Sequence, residues 1–392
     1  MKLIAQKPGF MRPRRIGSAG RGLLASTIIS TVLALGAGQA EAASKTKVSV
    51  NQNGKPVGTL PCETNPGTLP RTNPLLSRTA VLMGGGTDVK DAFSWMIAKM
   101  AQCADGSTGT RGNVLVIRAG GSPRYDALIA KTGPVASVIT LVVPNRETAM
   151  DPENLSIFAE YIKNAGAIFL TGGDQGDYYT YWKGTPLETL ISDQVKTFGI
   201  PIGGTSAGMM ILSEINYVAI PATIGSSEAL ADPDKYWQDE PLAARDLVND
   251  FWTTKTPFPP LLSTVTDSHF DTRARMGRLT SFLARSIVHN LADRESAQAI
   301  GVDEQTALLM ECEDQSCATP PRLKVVANPK VVGAAYVLKP SASSNLIVEP
   351  GTPLTFTSVE VQKHTVNGDP VIYQIDVSGG VMTSNALNGS LY

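Results

Sequence analysis

The chain has 392 residues, of which 42% are hydrophobic and 18% charged, with a formal net charge of −1. That composition is globular and excludes a disordered or membrane-embedded chain. The length suits one domain of roughly 250 to 300 residues.

The first 42 residues read differently from the rest. Lys2, Lys7, Arg12, Arg14, Arg15 and Arg21 precede or open the apolar run LLASTIISTVLALGAG, and Ala40-Glu41-Ala42 offers a small-residue cleavage site before Ala43. This order predicts a secretory signal peptide over 1–42, too short in its apolar part for a membrane span. The expected location is therefore secreted or periplasmic, with no membrane attachment after cleavage. Arg14-Arg15 hints at twin-arginine export, although the residues that follow fit that pattern poorly. Cleavage removes six of the 34 basic residues and one of the 35 acidic ones, leaving a net charge of −6. A mildly acidic surface argues against nucleic acid as a partner and suits a cationic substrate.

Four cysteines, Cys62, Cys103, Cys312 and Cys317, fall in the mature part, and an even count in an exported chain favours disulfides. Three pairings are open. Cys312 and Cys317 bracket a hairpin-like tip, which favours pairing them together and Cys62 with Cys103. The spacing does not suit a metal site, and the chain has three histidines in all.

Residues 43–78, rich in Pro, Gly, Thr and Asn, read as an N-terminal arm lying over the surface. From 79 to 378 the pattern is a single α/β domain. TAVLMGGG (79–86), NVLVIRAGG (113–121), SVITLVVP (137–144) and AIFLTGGDQ (167–175) are apolar runs, three of them ending in glycines. Helical spacing follows the first run, recurs over Tyr125 to Lys131, and returns at 152–165, with Asp151 as N-cap, and at 186–199. This alternation predicts a doubly wound, mostly parallel α/β sheet of the flavodoxin-like kind. Its glycine turns would gather at the carboxyl ends of the strands, where such sheets bind ligands. Residues 217–260 are irregular and 272–292 helical. Short β-like runs to about 377 read as C-terminal β-hairpins extending the same domain, with a separate small β-domain as the other option. Residues 379–392 read as a loose tail.

Gly204-Thr205-Ser206-Ala207-Gly208 matches G-x-S-x-G, fed by the strand Ile200-Pro201-Ile202 and followed by MMILSEI, which can start a helix. Such a turn strains the serine and demands small neighbours, as a nucleophile elbow does. The Ala207 amide would face a developing oxyanion, and a second donor could come from Gly84 to Gly86, with Gly85 and Gly86 the candidates. A serine nucleophile needs a base. His269 ends the strand-like run LLSTVTDSHF on the same edge as Ser206, whereas His289 lies in a helix and His364 in the β-rich tail. Glu304, after AIGV, is the candidate orienting acid, and Asp303 would point to the opposite face. The order Ser, His, acid differs from that of α/β-hydrolases. A hydrolase of that other fold would instead combine His289 with an acid from 214–250.

GGTSAG, IFLTGGDQ, DSHFDTRARMGRL and GVDEQTALL, in this order, resemble the cyanophycinases, in the peptidase family that also contains aspartyl dipeptidase. The resemblance spans roughly residues 78 to 370. It implies a glutamine-amidotransferase-like α/β fold, a Ser-His-Glu triad, no cofactor or metal, and a homodimer. It also implies exopeptidase release of β-aspartyl-arginine from multi-arginyl-poly-aspartate. Matched by motif, Ser206 would be the nucleophile, His269 the base and Glu304 the acid. Gln175 and Asp267 match pocket-lining positions, and Arg273, Arg275 and Arg278 match a basic cluster. An arginine fork suits a β-aspartyl α-carboxylate, and Asp267 could pair with a substrate guanidinium. This chain departs from the family in having Ser268 where Gln is usual, and in a longer Ser-to-His interval around DPDKYWQDEP (232–241). An aspartyl or isoaspartyl dipeptidase and a non-catalytic peptide-binding relative remain as alternatives.

Overall fold

The structure, a computed structural model, describes residues 47–63, 74–237, 245–386 and 389–392. The signal peptide expected over 1–42 lies outside these residues, as do the start of the arm and the end of DPDKYWQDEP.

The first half of the chain alternates strands and helices. It runs β1 (Ser49–Gly54), β2 (Thr79–Met83), α1 (Lys90–Met100), β3 (Asn113–Arg118), α2 (Tyr125–Ile129) and β4 (Ser137–Val142). Next come α3 (Arg146–Met150), α4 (Pro152–Lys163), β5 (Ala165–Leu170), α5 (Gln175–Trp182), α6 (Pro186–Phe198), β6 (Ile202–Thr205) and α7 (Ala207–Met210). An irregular stretch holds the short strands β7 (Asn216–Tyr217) and β8 (Leu247–Val248) with α8 (Ser226–Ala231) between them. The rest runs β9 (Thr264–Asp267), α9 (Met276–Val288), β10 (Gln298–Val302), β11 (Thr306–Glu311), β12 (Arg322–Ala327) and β13 (Ala334–Pro340). It closes with β14 (Leu346–Ile347), β15 (Thr355–Thr365), β16 (Val371–Ser378) and β17 (Val381–Ser384).

β2, β3 and β5 are buried along their whole length, as strands covered on both faces must be. They lie in an eight-stranded sheet of order β1-β4-β3-β5-β6-β2-β11-β12. The five central strands are parallel, and antiparallel strands close both edges. Side-chain alternation divides each strand between two cores. Ala80 and Leu82 of β2 face a core that contains Phe158 and Ile162 of α4 and Leu187 and Ile191 of α6. Val81 and Met83 face the other, with Phe93 and Met96 of α1 and Ile129 of α2. The result is the expected doubly wound α/β sheet.

The C-terminal hairpins build a second sheet rather than lengthening the first. Its order is β17-β16-β15-β13-β10-β9, with β14 attached to β15, and β9 and β10 run parallel. α9 covers it: Leu279, Phe282 and Leu283 share a third core with Val265, Ala299, Tyr336 and Ile375. β10 and β11 are consecutive in the chain but belong to different sheets, so residues 303–305 form the crossover between them.

Two other expectations change. Part of the arm forms β1, an edge strand paired antiparallel with β4 along its whole length. The tail expected to be loose is tethered. β17 pairs with β16, the Tyr392 hydroxyl accepts the Met276 N–H at 2.9 Å, and the Tyr392 ring packs edge-on against Phe270 and Tyr336. Among the described residues no helix is long and apolar enough to cross a membrane.

Cys62 pairs with Cys103 and Cys312 with Cys317, at sequence separations of 41 and 5. Loop-closure entropy grows with the enclosed length, so the first bridge constrains the unfolded chain more. Denaturant unfolding should show that replacing Cys62 and Cys103 by Ser costs ~4 kcal/mol, against ~2 kcal/mol for Cys312 and Cys317.

Candidate active site

Ser206 sits between β6 and α7 with φ 51° and ψ −119°, a conformation that a non-glycine residue adopts only under constraint. The constraints are visible. Its N–H donates to the Met83 carbonyl at 3.0 Å, and its own carbonyl accepts the Met210 N–H at 3.1 Å. A Cβ on Gly204 would lie 2.4 Å from the Gly208 carbonyl, so the turn closes only on glycine. Ser206 also packs against Gly172, at the end of neighbouring β5.

His269 reaches the same point from the second sheet. It follows β9 with φ 49°, and its N–H donates to the Gly84 carbonyl at 2.6 Å. Its ring lies on Gly85, where an added Cβ would come 2.4 Å from Cε1. Gly85 also has φ +94°, so both space and backbone require glycine there. Glu304 arrives from the crossover between the sheets, where the Gln305 N–H donates to the Gly85 carbonyl at 2.8 Å.

These three turns bring the side chains into one line. Ser206 Oγ lies 2.8 Å from His269 Nε2, and His269 Nδ1 lies 2.5 Å from Glu304 Oε1. A carboxylate accepts only, so Nδ1 carries the proton and Nε2 is left to accept from the serine hydroxyl. Burial lowers the His269 pKa below its ordinary value; the Glu304 bond opposes this, and Arg273 and Arg275 add to it. The imidazole is thus neutral at neutral pH, the form a base requires. Asp303, as expected, faces away. Its carboxylate accepts the N–H groups of Ala334 at 2.8 Å and Asp271 at 3.2 Å, and burial pushes its pKa up to about 7.

The other histidines are placed elsewhere. His289 Nε2 meets Asp234 at 2.8 Å and its ring stacks on Trp237 with centroids 3.7 Å apart. An acid from 214–250 therefore does pair with His289, but the histidine at Ser206 is His269. His364 lies on β15.

The candidate oxyanion donors narrow. The Gly84 N–H is taken by the Thr306 carbonyl at 2.9 Å, which leaves Gly85 and Gly86 on that turn. Ala207 is the first residue of α7, where an N–H has no intrahelical acceptor.

The basic cluster divides into two parts. Asp267 is fully buried and is clasped by Arg278, with Nε to Oδ2 and Nη2 to Oδ1 both at 2.6 Å; Arg275 adds a 3.1 Å contact to Oδ1. The substrate guanidinium expected at Asp267 is thus replaced by the chain's own arginines, because α9 starts close enough for Arg278 to reach back. Arg278 also lies over the Tyr217 ring at 5.0 Å. Arg273 is exposed and Arg275 partly so. With Arg278 they line a pocket of about 250 Å³ whose other wall is Thr223 to Ser226. That wall was missed in the sequence, where only Gly225-Ser226 before a short helical pattern marks it. Ser226 holds it in place, donating to the Ala274 carbonyl at 2.5 Å and accepting the Arg278 N–H at 3.1 Å. Gln175 opens α5, three residues beyond Gly172, and is partly exposed. Ser268 is buried against the Met210 sulfur. Among the described residues no His, Cys, Asp and Glu side chains gather in a group that could hold a metal ion.

Residues 80–231 match Peptidase family S51. That match supports a serine-type peptidase. A cyanophycinase from Geminocystis herdmanii (strain PCC 6308) is 24% identical over 242 residues, covering 60% of this chain and 76% of that protein. Similar solved structures include a peptidase from an acI-B1 actinobacterium, at 17% identity and a TM-score of 0.42 over 76% of this chain and 97% of that one. A putative peptidase E protein from Listeria monocytogenes EGD-e is 16% identical, with a TM-score of 0.37 over 64% of this chain and all of that one (100%).

Two outcomes follow for this site. Gly85→Ala would drive a methyl into the His269 ring and should lower kcat ~100-fold or more with little loss of secondary structure by circular dichroism. Because burial holds the His269 pKa below its ordinary value, the acid limb of kcat/KM should fall below pH ~6.5. Removing a cation that opposes its protonation, as in Arg273→Ala, should move that limb to higher pH in a pH–rate profile.

Proposed function

We propose that the protein is an exported serine exopeptidase that hydrolyses multi-arginyl-poly-aspartate, releasing β-aspartyl-arginine. The observation that carries this reading is the hydrogen-bonded line Ser206–His269–Glu304 beside a pocket walled by arginines. His269 Nε2 takes the Ser206 proton as Oγ attacks an aspartyl backbone carbonyl, and Glu304 steadies the resulting imidazolium. The N–H groups of Ala207 and of Gly85 or Gly86 receive the oxyanion. His269 then returns the proton to the departing amine, and water, deprotonated by the same imidazole, resolves the acyl-enzyme.

Arg273 and Arg275 supply fixed positive charge where a free α-carboxylate would lie, which restricts cleavage to one end of a chain. Asp267 positions Arg275 and Arg278 and is not itself exposed to substrate. Gln175, at the start of α5, is assigned to substrate by its motif. Export is supported by the basic and apolar leader pattern of 1–42 and by the two disulfides, which persist in oxidising compartments. As part of this reading the enzyme works as a homodimer, which light scattering would read as twice the chain mass.

Incubation of purified enzyme with the insoluble polymer tests the reading, with β-aspartyl-arginine measured by mass spectrometry. Wild type should clear the suspension, and Ser206→Ala should lose roughly a million-fold in kcat while keeping its melting temperature. Hydrolysis of short aspartyl peptides with the polymer left intact would make the enzyme a dipeptidase. Retained activity in Ser206→Ala would remove the nucleophile assignment.

A further inference from the structure

A second hollow, of about 320 Å³, opens at the Gly84–Gly86 turn and shares no lining residue with the arginine pocket. Gly86, Thr87, Asp88, Lys90, Arg124 and Tyr125 line it. It adjoins the site on two sides. A Cβ on Gly86 would lie 3.4 Å from Glu304 Oε2, and the hydroxyls of Tyr125 and of Thr205, the residue before Ser206, approach the Asp88 carboxylate.

The charges of this hollow are arranged in an unusual way. Asp88 Oδ1 is closed off from solvent yet makes no hydrogen bond of good geometry among the described residues. A buried acceptor left in that state is costly, and an incoming N–H donor would recover the loss. Lys90 and Arg124, by contrast, stand exposed. Burial raises the Asp88 pKa, and the Tyr125 and Thr205 hydroxyls and Arg124 oppose this, so the hollow offers one sheltered carboxylate with two cations around it.

We propose that this hollow is a subsite for one arginine branch of the substrate, separate from the pocket of Arg273, Arg275 and Arg278. An arginine joined through its α-amino group keeps both a guanidinium and a free carboxylate. The guanidinium is held by Asp88, beside the Tyr125 and Thr205 hydroxyls, and the carboxylate by Lys90 and Arg124. This assignment rests on the polymer reading above and deepens it: it makes recognition of the branch, and not only of the aspartyl backbone, part of cleavage at Ser206. A plain poly-aspartate lacks the cation for Asp88 and would bring like charge to it.

The test compares three dipeptides bound to Ser206→Ala by calorimetry: β-aspartyl-arginine, its citrulline analogue, which has no positive charge, and its agmatine analogue, which has no branch carboxylate. The arginine form should bind ~10- to 100-fold tighter than the citrulline form. Adding Asp88→Asn should erase that ratio, and adding Lys90→Ala with Arg124→Ala should erase the arginine-to-agmatine ratio. If Asp88→Asn weakens the arginine and citrulline forms equally, Asp88 only shapes the turn before Ser206 and the subsite falls. Should the ratios behave as stated while wild type leaves the polymer intact, the subsite stands and the polymer reading falls. Wild-type KM for the polymer in Asp88→Asn would remove the subsite and leave the polymer reading in place.

Discussion

The candidate site depends on the seam between two sheets. Ser206 ends a strand of the first sheet, His269 ends a strand of the second, and Glu304 lies on the three-residue crossover between them. What fixes their separation is a pair of backbone hydrogen bonds, from the His269 N–H to Gly84 and from the Gln305 N–H to Gly85, at 2.6 and 2.8 Å. Both land on one glycine turn. That turn therefore sets the distance from base to nucleophile and from acid to base, and the His269 ring rests directly on it. A side chain at this point would displace the His269 ring on which the line of hydrogen bonds depends.

Charge is arranged around this seam by burial as much as by contact. Desolvation keeps His269 neutral, and the single bond to Glu304 fixes which nitrogen can accept from the serine. One residue earlier in the chain, Asp303 is turned the other way and takes two backbone N–H groups, so two adjacent acids do not compete for one imidazole. Asp267 spends its carboxylate on Arg275 and Arg278, which holds two cations together despite their mutual repulsion. Arg273, without such a hold, is the exposed member of the set.

Much of this was legible in the sequence because the informative elements carry strong local signals. The parallel strands are uninterrupted apolar runs, since both faces are covered, and each candidate side chain sits just past such a run. β1 was not legible: SVNQNG is a polar edge strand bonded on one side, and nothing local distinguishes it from a coil. α5 escaped for a similar reason, as QGDYYTYW has no clear helical stripe. The tethering of the tail depends on Tyr392 finding Phe270 and Tyr336, residues far away in the chain. Likewise, that Asp267 would be occupied by Arg278 follows from where α9 begins, which composition and spacing do not encode. That most of the β-rich C-terminal runs join β9 and β10 in a second sheet was not legible, because hairpins look the same whichever sheet they join.

The central claim is that the strained Ser206 turn presents an activated hydroxyl to a neutral His269. Covalent trapping tests it most directly: native enzyme is treated with a serine-reactive fluorophosphonate and the adduct is mapped by peptide mass spectrometry. One adduct per chain is expected, on Ser206, forming faster as pH rises through the His269 pKa and lost in His269→Ala. An adduct on another serine, or labelling of Ser206 at an unchanged rate without His269, would contradict it.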